Sequence, residues 1–367
     1  MKIGKRLVWS KGVSIPNSRP SPIVSRNFTP SPTQTEVPTP VPSKSSTPLP
    51  SPSPSFSQTS PPRVPTSFDD LIENYRGITY AAWSKSRDKI LNSLPADISI
   101  KLNLGPTSKL TYNTPLDPIK LITRLYAGFA RDAELNFLAF NFDDRDWAEN
   151  EMEKTIPNSG SRWIKSNACK TVETCWGGGA FSDGKDKYLI VIAIGFIDNN
   201  HTSGTVEAHE FTHILQQMNM KLARPAQEFI FDPWPPDWYW EGQAQFAQHA
   251  SVYFNSYQNY LKERNAASEQ LFRDDSYNSE FIEKYFVFNA PTSWQKTYEP
   301  WRKYDLGAMF VEILTALKGP DSTMEMWRIA STGVNFDIAF ERVYGTPFSK
   351  ALPIISKAIA LELGRNN

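Results

Sequence analysis

Residues 208–215 have the sequence Ala-His-Glu-Phe-Thr-His-Ile-Leu, which contains the pattern His-Glu-x-x-His. Residues four apart lie on one face of an α-helix, so His209 and His213 can present ring nitrogens to the same ion. Glu210 lies one position round the helix, where its carboxylate can reach a water on that ion without binding the ion itself. The alternative is an amphipathic helix that happens to carry two of the chain's four histidines. The pattern predicts a metal site on a helix.

The composition excludes some classes of partner. The 367 residues carry no net formal charge, which gives no indication of binding to nucleic acids or anionic membranes. No apolar run is long enough to span a bilayer. The longest, residues 188–197, is rich in β-branched residues and predicts a buried strand. We expect one large domain or two lobes, with no nucleic-acid partner and no transmembrane segment.

The two cysteines, Cys169 and Cys175, have five residues between them. A disulfide formed in an oxidising compartment is favoured over free thiols. Zinc ligation by this pair is an alternative, but it would need further ligands, and the chain has no second cysteine pair.

Residues 1–66 form a tail that is dominated from about residue 14 by Pro, Ser and Thr. This composition predicts a disordered tether, because it cannot bury enough apolar surface to fold. The basic residues at its start are not followed by an apolar stretch, so no signal peptide is visible. Such tethers commonly hold a domain outside the cell. We therefore expect a secreted or cell-surface protein, tethered through this segment, with a cytoplasmic protein as the alternative.

The folded domain is expected over residues 67–367, as a mixed α/β lobe at 67–220 and a helical lobe at 221–367. Strands and helices mix without the regular alternation of a Rossmann sheet, so the fold class is α+β. The apolar pattern predicts strands at 98–104, 135–140, 175–181 and 188–197, with helices at 80–92, 116–131 and 205–220.

In the second lobe the pattern predicts helices and two irregular segments. The expected helices run from about 239 past 253, over 304–317, from a capping box at Ser322, near 335–343 and over 347–363. The expected irregular segments are 224–236, rich in Pro and aromatic residues, and the stretch between 253 and 304.

A hydrolytic zinc site has three protein ligands and one position open for water. Glu241 is the candidate for the third ligand, because it lies in the first turn of the next strong helix, between Trp240 and Gly242. The alternative is a carboxylate placed there to interact with the helix dipole.

The sequence His-Glu-Phe-Thr-His at 209–213, followed by Trp-Tyr-Trp-Glu-Gly-Gln-Ala at 238–244, resembles the gluzincins. These are zinc metallopeptidases of the peptidase MA type and include the thermolysins and the zinc aminopeptidases. The resemblance implies a zincin-like, thermolysin-like fold with the metal in the cleft between the two lobes. It also implies one Zn²⁺ ion, with His209, His213 and Glu241 as ligands and Glu210 as the general base.

The resemblance rests on motifs and covers roughly residues 175–345. It departs from the family in spacing, because Glu241 lies 28 positions after His213, a longer interval than in the best-known relatives. The additional residues include the aromatic loop at 233–236, which we expect to shape the cleft.

The segment Tyr-Asp-Leu-Gly at 304–307 is similar to the Tyr-x-x-Gly segment of the aminopeptidase-type gluzincins. That segment supplies the donor that stabilises the oxyanion, so the resemblance makes Tyr304 the candidate. A core tyrosine is the alternative reading of Tyr304, and Tyr298 and His201 are alternative donors. We expect His249 to be structural, and Gln245 to be structural or to brace a metal ligand.

The glycine-rich segment at 177–181 lies where those aminopeptidases carry an edge strand with a glutamate that holds the substrate's N-terminus. Gly178, Gly179 and Ala180 could pair with a peptide backbone, whereas a turn before the buried strand is the alternative. No glutamate is present in this segment, which favours an endopeptidase over an aminopeptidase.

We therefore predict a zinc-dependent peptidase that acts on a peptide or protein substrate. Two alternatives use the same residues: a zinc-binding interaction module without catalysis, and a zinc hydrolase that acts on something other than peptides.

Overall fold

The longest apolar run of the chain forms an inner strand of a small sheet. The computed structural model describes residues 61–195, 199–220, 235–289 and 299–365. Its strands are β1 (Ile98–Leu104), β2 (Ala133–Phe140), β3 (Trp176–Ser182) and β4 (Tyr188–Ile194). Their order is β1-β2-β4-β3, with β3 antiparallel to β4 and the other neighbours parallel. Strand β3 therefore lies at one edge of the sheet.

Helices pack on both faces of the sheet and make up most of the remaining regular structure in the described chain. Those up to residue 220 are α1 (Ile78–Asn92), α2 (Leu116–Leu125), α3 (Arg145–Thr155), α4 (Asn199–Ser203) and α5 (Thr205–Met220). Those that follow are α6 (Asp237–Val252), α7 (Tyr257–Ala267), α8 (Glu269–Arg273), α9 (Ser279–Phe288), α10 (Arg302–Lys318), α11 (Pro320–Ala330), α12 (Phe336–Tyr344) and α13 (Phe348–Glu362). The predicted mixture of helix and strand is confirmed, whereas a zincin-like arrangement stays a prediction.

Both faces of the sheet are covered, which explains why β4 is apolar throughout. Ile190 and Ile192 belong to the larger core that includes α2, α5 and α6. Leu189 and Val191 point to the opposite face, into a smaller core that includes α3 and Trp163. A strand that is buried on both faces has no polar alternation, because neither set of side chains meets water.

The motif helix α5 lies in the interior of the protein. It packs against β3 and β4 and against α6, and all of its residues except Asn219 are buried. The buried residues include seven polar or charged side chains besides Thr205. Burial of polar groups costs free energy unless each finds a partner, so this helix must be surrounded by hydrogen-bonding groups.

Helices α6 and α10 approach each other closely at two glycines. A Cβ atom added to Gly242 would overlap the backbone of Gly307, and one added to Gly307 would overlap the carbonyl oxygen of Trp238. Because neither glycine has a side chain, the two helices lie close together, and residues of α6 near Gly242 can contact residues of α10 near Gly307.

The described residues from Pro62 onward belong to one compact unit. Phe68 and Leu71 are already buried in its core. Residues 1–60, which make up nearly all of the predicted tether, lie outside the described residues, so tethering and export stay predictions. In the part of the chain that the structure covers, no helix is long and apolar enough to cross a membrane.

Three sequence predictions about helices were wrong. The stretch between 253 and 304 is not irregular, since α7, α8 and α9 occupy much of it. Their caps were visible in the sequence, because the side chain of Ser256 accepts a hydrogen bond from the Asn259 amide and Asn278 does the same for Phe281. Helix α2 ends at Leu125 instead of continuing to 131.

The third wrong prediction concerns Ser322, which does not cap α11. The helix begins at Pro320, where the fixed φ of proline suits the first helical position. The Ser322 hydroxyl instead donates to the carbonyl oxygen of Gly319 at 2.6 Å.

Cys169 and Cys175 form a disulfide, as favoured from the sequence. The bridge lies in the smaller core, directly before β3.

The sequence also predicts an irregular segment at 224–236. Residues 224–234 of this segment lie outside the described residues.

Replacement of Gly307 by alanine should separate α6 from α10. We expect Gly307→Ala to lower the free energy of unfolding by about 1–3 kcal/mol, because the added methyl group meets backbone that cannot turn aside. Denaturant unfolding followed by circular dichroism measures this. The control is Ala308→Ser, which adds one heavy atom at the next position, where Ala308 lines a small cavity. Equal losses in the two variants would contradict the close helix contact.

Candidate metal centre

His209 and His213 lie one turn apart on α5 and face the same point. Both are 4% exposed. Their rings are perpendicular, with centroids 4.8 Å apart, and their Nε2 atoms are separated by 3.2 Å. The indole of Trp240 stacks on the His213 ring at 4.5 Å and holds its plane. The helical spacing thus brings the two imidazoles together as the sequence predicts.

Glu241 reaches the same point from the first turn and a half of α6. Its Oε2 atom lies 3.2 Å from Nε2 of His213 and 3.4 Å from Nε2 of His209. The carboxylate is buried, so it is not an exposed residue placed at a helix start for the dipole alone. His209, His213 and Glu241 form a buried group that could hold a metal ion.

The tautomer of His213 follows from the groups behind it. Gln216 donates from Nε2 to the Trp240 carbonyl at 2.9 Å, and a carbonyl can only accept. The Oε1 atom of Gln216 therefore faces Nδ1 of His213, 2.7 Å away, and Nδ1 must carry the proton. Burial lowers the pKa of His213 against the opposing effect of Glu241, which keeps the ring neutral. Its Nε2 atom therefore presents a lone pair.

A donor-only group, the indole of Trp327, reinforces the orientation of the Gln216 amide. The indole N–H of Trp327 donates to Oε1 of Gln243 at 2.5 Å, and that oxygen also accepts from Nε2 of Gln216 at 3.0 Å. The Nε2 atom of Gln243 then donates to the Thr323 hydroxyl at 2.9 Å. Each of these hydrogen bonds has only one permitted direction. Trp327 of α11 therefore helps to fix the imidazole ring of His213 on α5.

His209 is held by a similar amide on α6. Its Nδ1 atom lies 2.9 Å from Oε1 of Gln248, and Nε2 of Gln248 lies 3.1 Å from Nε2 of His249. A proton on Nδ1 of His209 would be accepted by Oε1 of Gln248, and this tautomer would leave a lone pair on Nε2. The Oε1 atom of Gln245 has no hydrogen-bond partner in the described parts of the chain. Gln248, one turn further on, is the glutamine that contacts His209.

Lys303 on α10 contacts the third candidate ligand. Its Nζ atom lies 3.2 Å from Oε1 of Glu241 and 3.1 Å from Oδ2 of Asp237. Burial alone would raise the pKa of Glu241, but the charge of the neighbouring Lys303 ammonium holds this pKa well below its usual range. Glu241 is therefore an anion in the protein interior.

Glu210 lies against the edge strand, beside the three candidate ligands. A Cβ atom on Gly178 would overlap the Glu210 carboxylate, so the strand leaves room for that side chain only because it has glycine there. Burial, followed by the charges of Glu241 and Glu207, raises the pKa of Glu210 well above its usual value.

Tyr304 lies next to Lys303 at the start of α10 and faces the site. Its ring centroid is 6.1 Å from that of His209, and the residue is 9% exposed. Burial, followed by the nearby carboxylates of Glu241, Asp237 and Glu210, raises the pKa of its hydroxyl well above the usual value. The hydroxyl thus keeps its proton.

The other predicted residues have different surroundings. His201 is buried on α4, and Tyr298 lies outside the described residues. Gly178 and Gly179 sit on opposite faces of β3, with Gly179 against Trp163. The carbonyl oxygen of Ala180 accepts from Nε2 of Gln217 on α5 at 3.3 Å.

Comparisons of the chain with protein-family models, with curated proteins and with solved structures found no match. The site is therefore interpreted from its own chemistry.

Sequence reasoning missed the residues that surround the candidate ligands. Lys303 and Gln248 are separated from Glu241 and His209 by 62 and 39 positions, and neither belongs to a local motif. The one available signal was Gln216, since it lies three positions after His213 on the same helix.

Loss of the Gln216 amide should weaken metal binding. We expect Gln216→Met to raise the dissociation constant for zinc by about 10–100-fold, because His213 loses the acceptor that fixes its tautomer and ring orientation. Competition with a chromophoric chelator measures this constant. Gln217→Met is the control, since Gln217 is equally buried but contacts β3. A similar weakening in both variants would refute the role of Gln216.

Proposed function

We propose that this protein is a zinc-dependent peptidase of the gluzincin type. The observation that carries the proposal is the convergence of three lone-pair atoms in the protein interior, with separations of 3.2, 3.2 and 3.4 Å. Three acceptors that point at one another without a shared proton repel unless a cation lies among them.

The separations are compatible with zinc, because a tetrahedron with metal–ligand bonds of about 2.0–2.1 Å has edges of about 3.3–3.4 Å. The two imidazole nitrogens favour zinc over Mg²⁺ and Ca²⁺, which prefer oxygen ligands. Two imidazoles and one carboxylate are also the ligand set of catalytic zinc sites that keep a fourth position open. The gluzincin motifs point to the same three residues.

In this proposal the chain's own groups divide the work of hydrolysis. A zinc ion held by His209, His213 and Glu241 would supply Lewis-acid polarisation of water and of the scissile carbonyl. The carboxylate of Glu210, which directly follows His209 on α5, accepts the proton from the attacking water. It then delivers this proton to the leaving amine nitrogen. A cation at the site would offset the rise in the pKa of Glu210 that burial and Glu241 cause, because it favours the ionised carboxylate.

Tyr304 supplies a hydrogen-bond donor to the carbonyl oxygen as negative charge develops on it. Its position beside His209 and its retained proton support this role. The hydroxyl is more effective in a buried site than in water, because low polarity strengthens the hydrogen bond.

The edge strand β3 offers a place for the substrate backbone. It pairs with β4 on one side and has no further strand beyond it among the described residues. Gly178 brings this edge against Glu210, so a peptide paired there would pass the general base. No acidic side chain lies at 177–181 to hold a free N-terminus, which supports an endopeptidase.

Removal of the general base separates catalysis from metal binding. We expect Glu210→Gln to retain one zinc ion per chain while cleavage of an unstructured peptide library falls by about 10²–10⁴-fold. Glu207→Gln is the control, because burial raises the pKa of Glu207 to about 8 and the amide resembles the protonated acid. Its cleavage rate should stay within a few-fold of the native value.

The same measurements separate the alternatives. If the native protein binds zinc stoichiometrically but cleaves no peptide, the non-catalytic module or a hydrolase of another substrate class replaces the peptidase. If zinc does not bind, all three are excluded.

Loss of the Tyr304 hydroxyl should reduce turnover more than substrate binding. We expect Tyr304→Phe to lower kcat by about 10²–10³-fold with little change in KM, as for the loss of one oxyanion donor. Steady-state kinetics on a peptide found in the library screen gives both constants. Tyr285→Phe is the control, since this buried hydroxyl has no hydrogen-bond partner within the described residues. An unchanged kcat in Tyr304→Phe would assign the donor role to another group.

A further inference from the structure

Lys303 is among the most deeply buried charged side chains of the described structure, at 1% exposure. A lysine in the interior requires partners for its ammonium group, because transfer of an unpaired charge out of water is very costly. Two carboxylates on α6, Asp237 and Glu241, supply them. They lie one turn apart on one face of that helix.

The two oxygen atoms of Glu241 face different groups. Oε1 accepts from Lys303 at 3.2 Å, whereas Oε2 faces the two imidazole nitrogens at 3.2 and 3.4 Å. A carboxylate can bind a metal ion through one oxygen or through both. With Oε1 held by an ammonium group, only Oε2 remains directed at the metal position.

We propose that Lys303 is a positioning residue that makes Glu241 a one-oxygen ligand. It thereby keeps a coordination position free for water. This inference rests on the zinc site proposed above. If both oxygens of Glu241 bound, the two histidines and the carboxylate would supply four donor atoms, which is the full complement of a closed structural zinc site.

Asp237 balances the charge of Lys303. Lys303 can therefore hold Oε1 of Glu241 without reducing the negative charge that Glu241 offers the metal. Its side chain is 9% exposed, and Oδ2 lies 3.1 Å from the ammonium. The Asp237–Lys303 pair is neutral, so the single charge of Glu241 remains for the cation. The close contact of Gly242 with Gly307 lets the lysine of α10 reach both carboxylates of α6.

Two double variants of the full chain test the hydrogen bond at constant charge. Asp237→Ala with Lys303→Gln keeps an N–H donor beside Glu241, whereas Asp237→Ala with Lys303→Met has none at either position. Each is loaded with Co²⁺ for visible spectroscopy and titrated with zinc. We expect the Gln variant to keep the native spectrum and affinity. The Met variant should show the weaker absorption of a five-coordinate ion and a zinc dissociation constant changed by about 10-fold or more.

Identical spectra and affinities in the two double variants would overturn the inference. Lys318→Met serves as the control for loss of a lysine from α10, because Lys318 lies at the far end of this helix and donates to the backbone carbonyl of Val343. If the Met variant does not fold, the zinc-loaded native protein decides by X-ray crystallography. Glu241 bound through Oε2, with Oε1 on Lys303, supports the inference, and a bidentate Glu241 rejects it.

These outcomes are distinct from failure of the proposed function. A native protein that binds zinc through one oxygen of Glu241 but cleaves no peptide refutes the peptidase and leaves the role of Lys303 intact. A peptidase with a bidentate Glu241 refutes the role of Lys303 alone.

Discussion

The contact between Gly242 and Gly307 is the constraint on which the candidate site depends. With no side chains between them, α6 and α10 lie close enough for Lys303 and Tyr304 to meet Glu241. A wider separation would leave a buried lysine and a buried glutamate without each other, which is one of the costliest defects that a protein interior can contain. Helix packing and site chemistry are therefore inseparable here.

Helix α5 has an unusually polar environment for a helix with almost no exposed residue. His209, His213 and Gln216 are accommodated because glutamine amides and a main-chain carbonyl of α6 lie against them, and the Trp327 indole of α11 bonds to one of those amides. In the chain behind His213, the acceptor-only Trp240 carbonyl and the donor-only Trp327 indole fix the direction of each hydrogen bond. What this network leaves is three lone pairs directed at one point, and this is the chemical basis for proposing a cation there.

The surroundings of the candidate ligands also define how the centre is charged. Both histidines are held by neutral glutamine amides, and the one anionic candidate, Glu241, is held by a lysine whose charge Asp237 balances. The site would thus offer a cation a single negative charge. Such a site leaves most of the charge of a divalent ion available to polarise water and carbonyl groups.

The sequence alone determined the motif helix, β1 and the identity of the three candidate ligands. The motif helix, β1 and the histidine pair depend on local periodicity, because helical spacing places His213 beside His209 whatever surrounds them. Glu241 was predicted from its place in the next helix and from the resemblance to the gluzincins. The apolar pattern did not predict α7, which is polar, or α8, which has only five residues. It also did not predict the start of α11, and the local signal for α9 was its cap at Asn278. Only the tertiary structure decided that Gln248, Trp327 and Lys303 serve the site, because each acts across helices that are far apart in sequence. Such contacts depend on how helices pack, and no local pattern of residues records that.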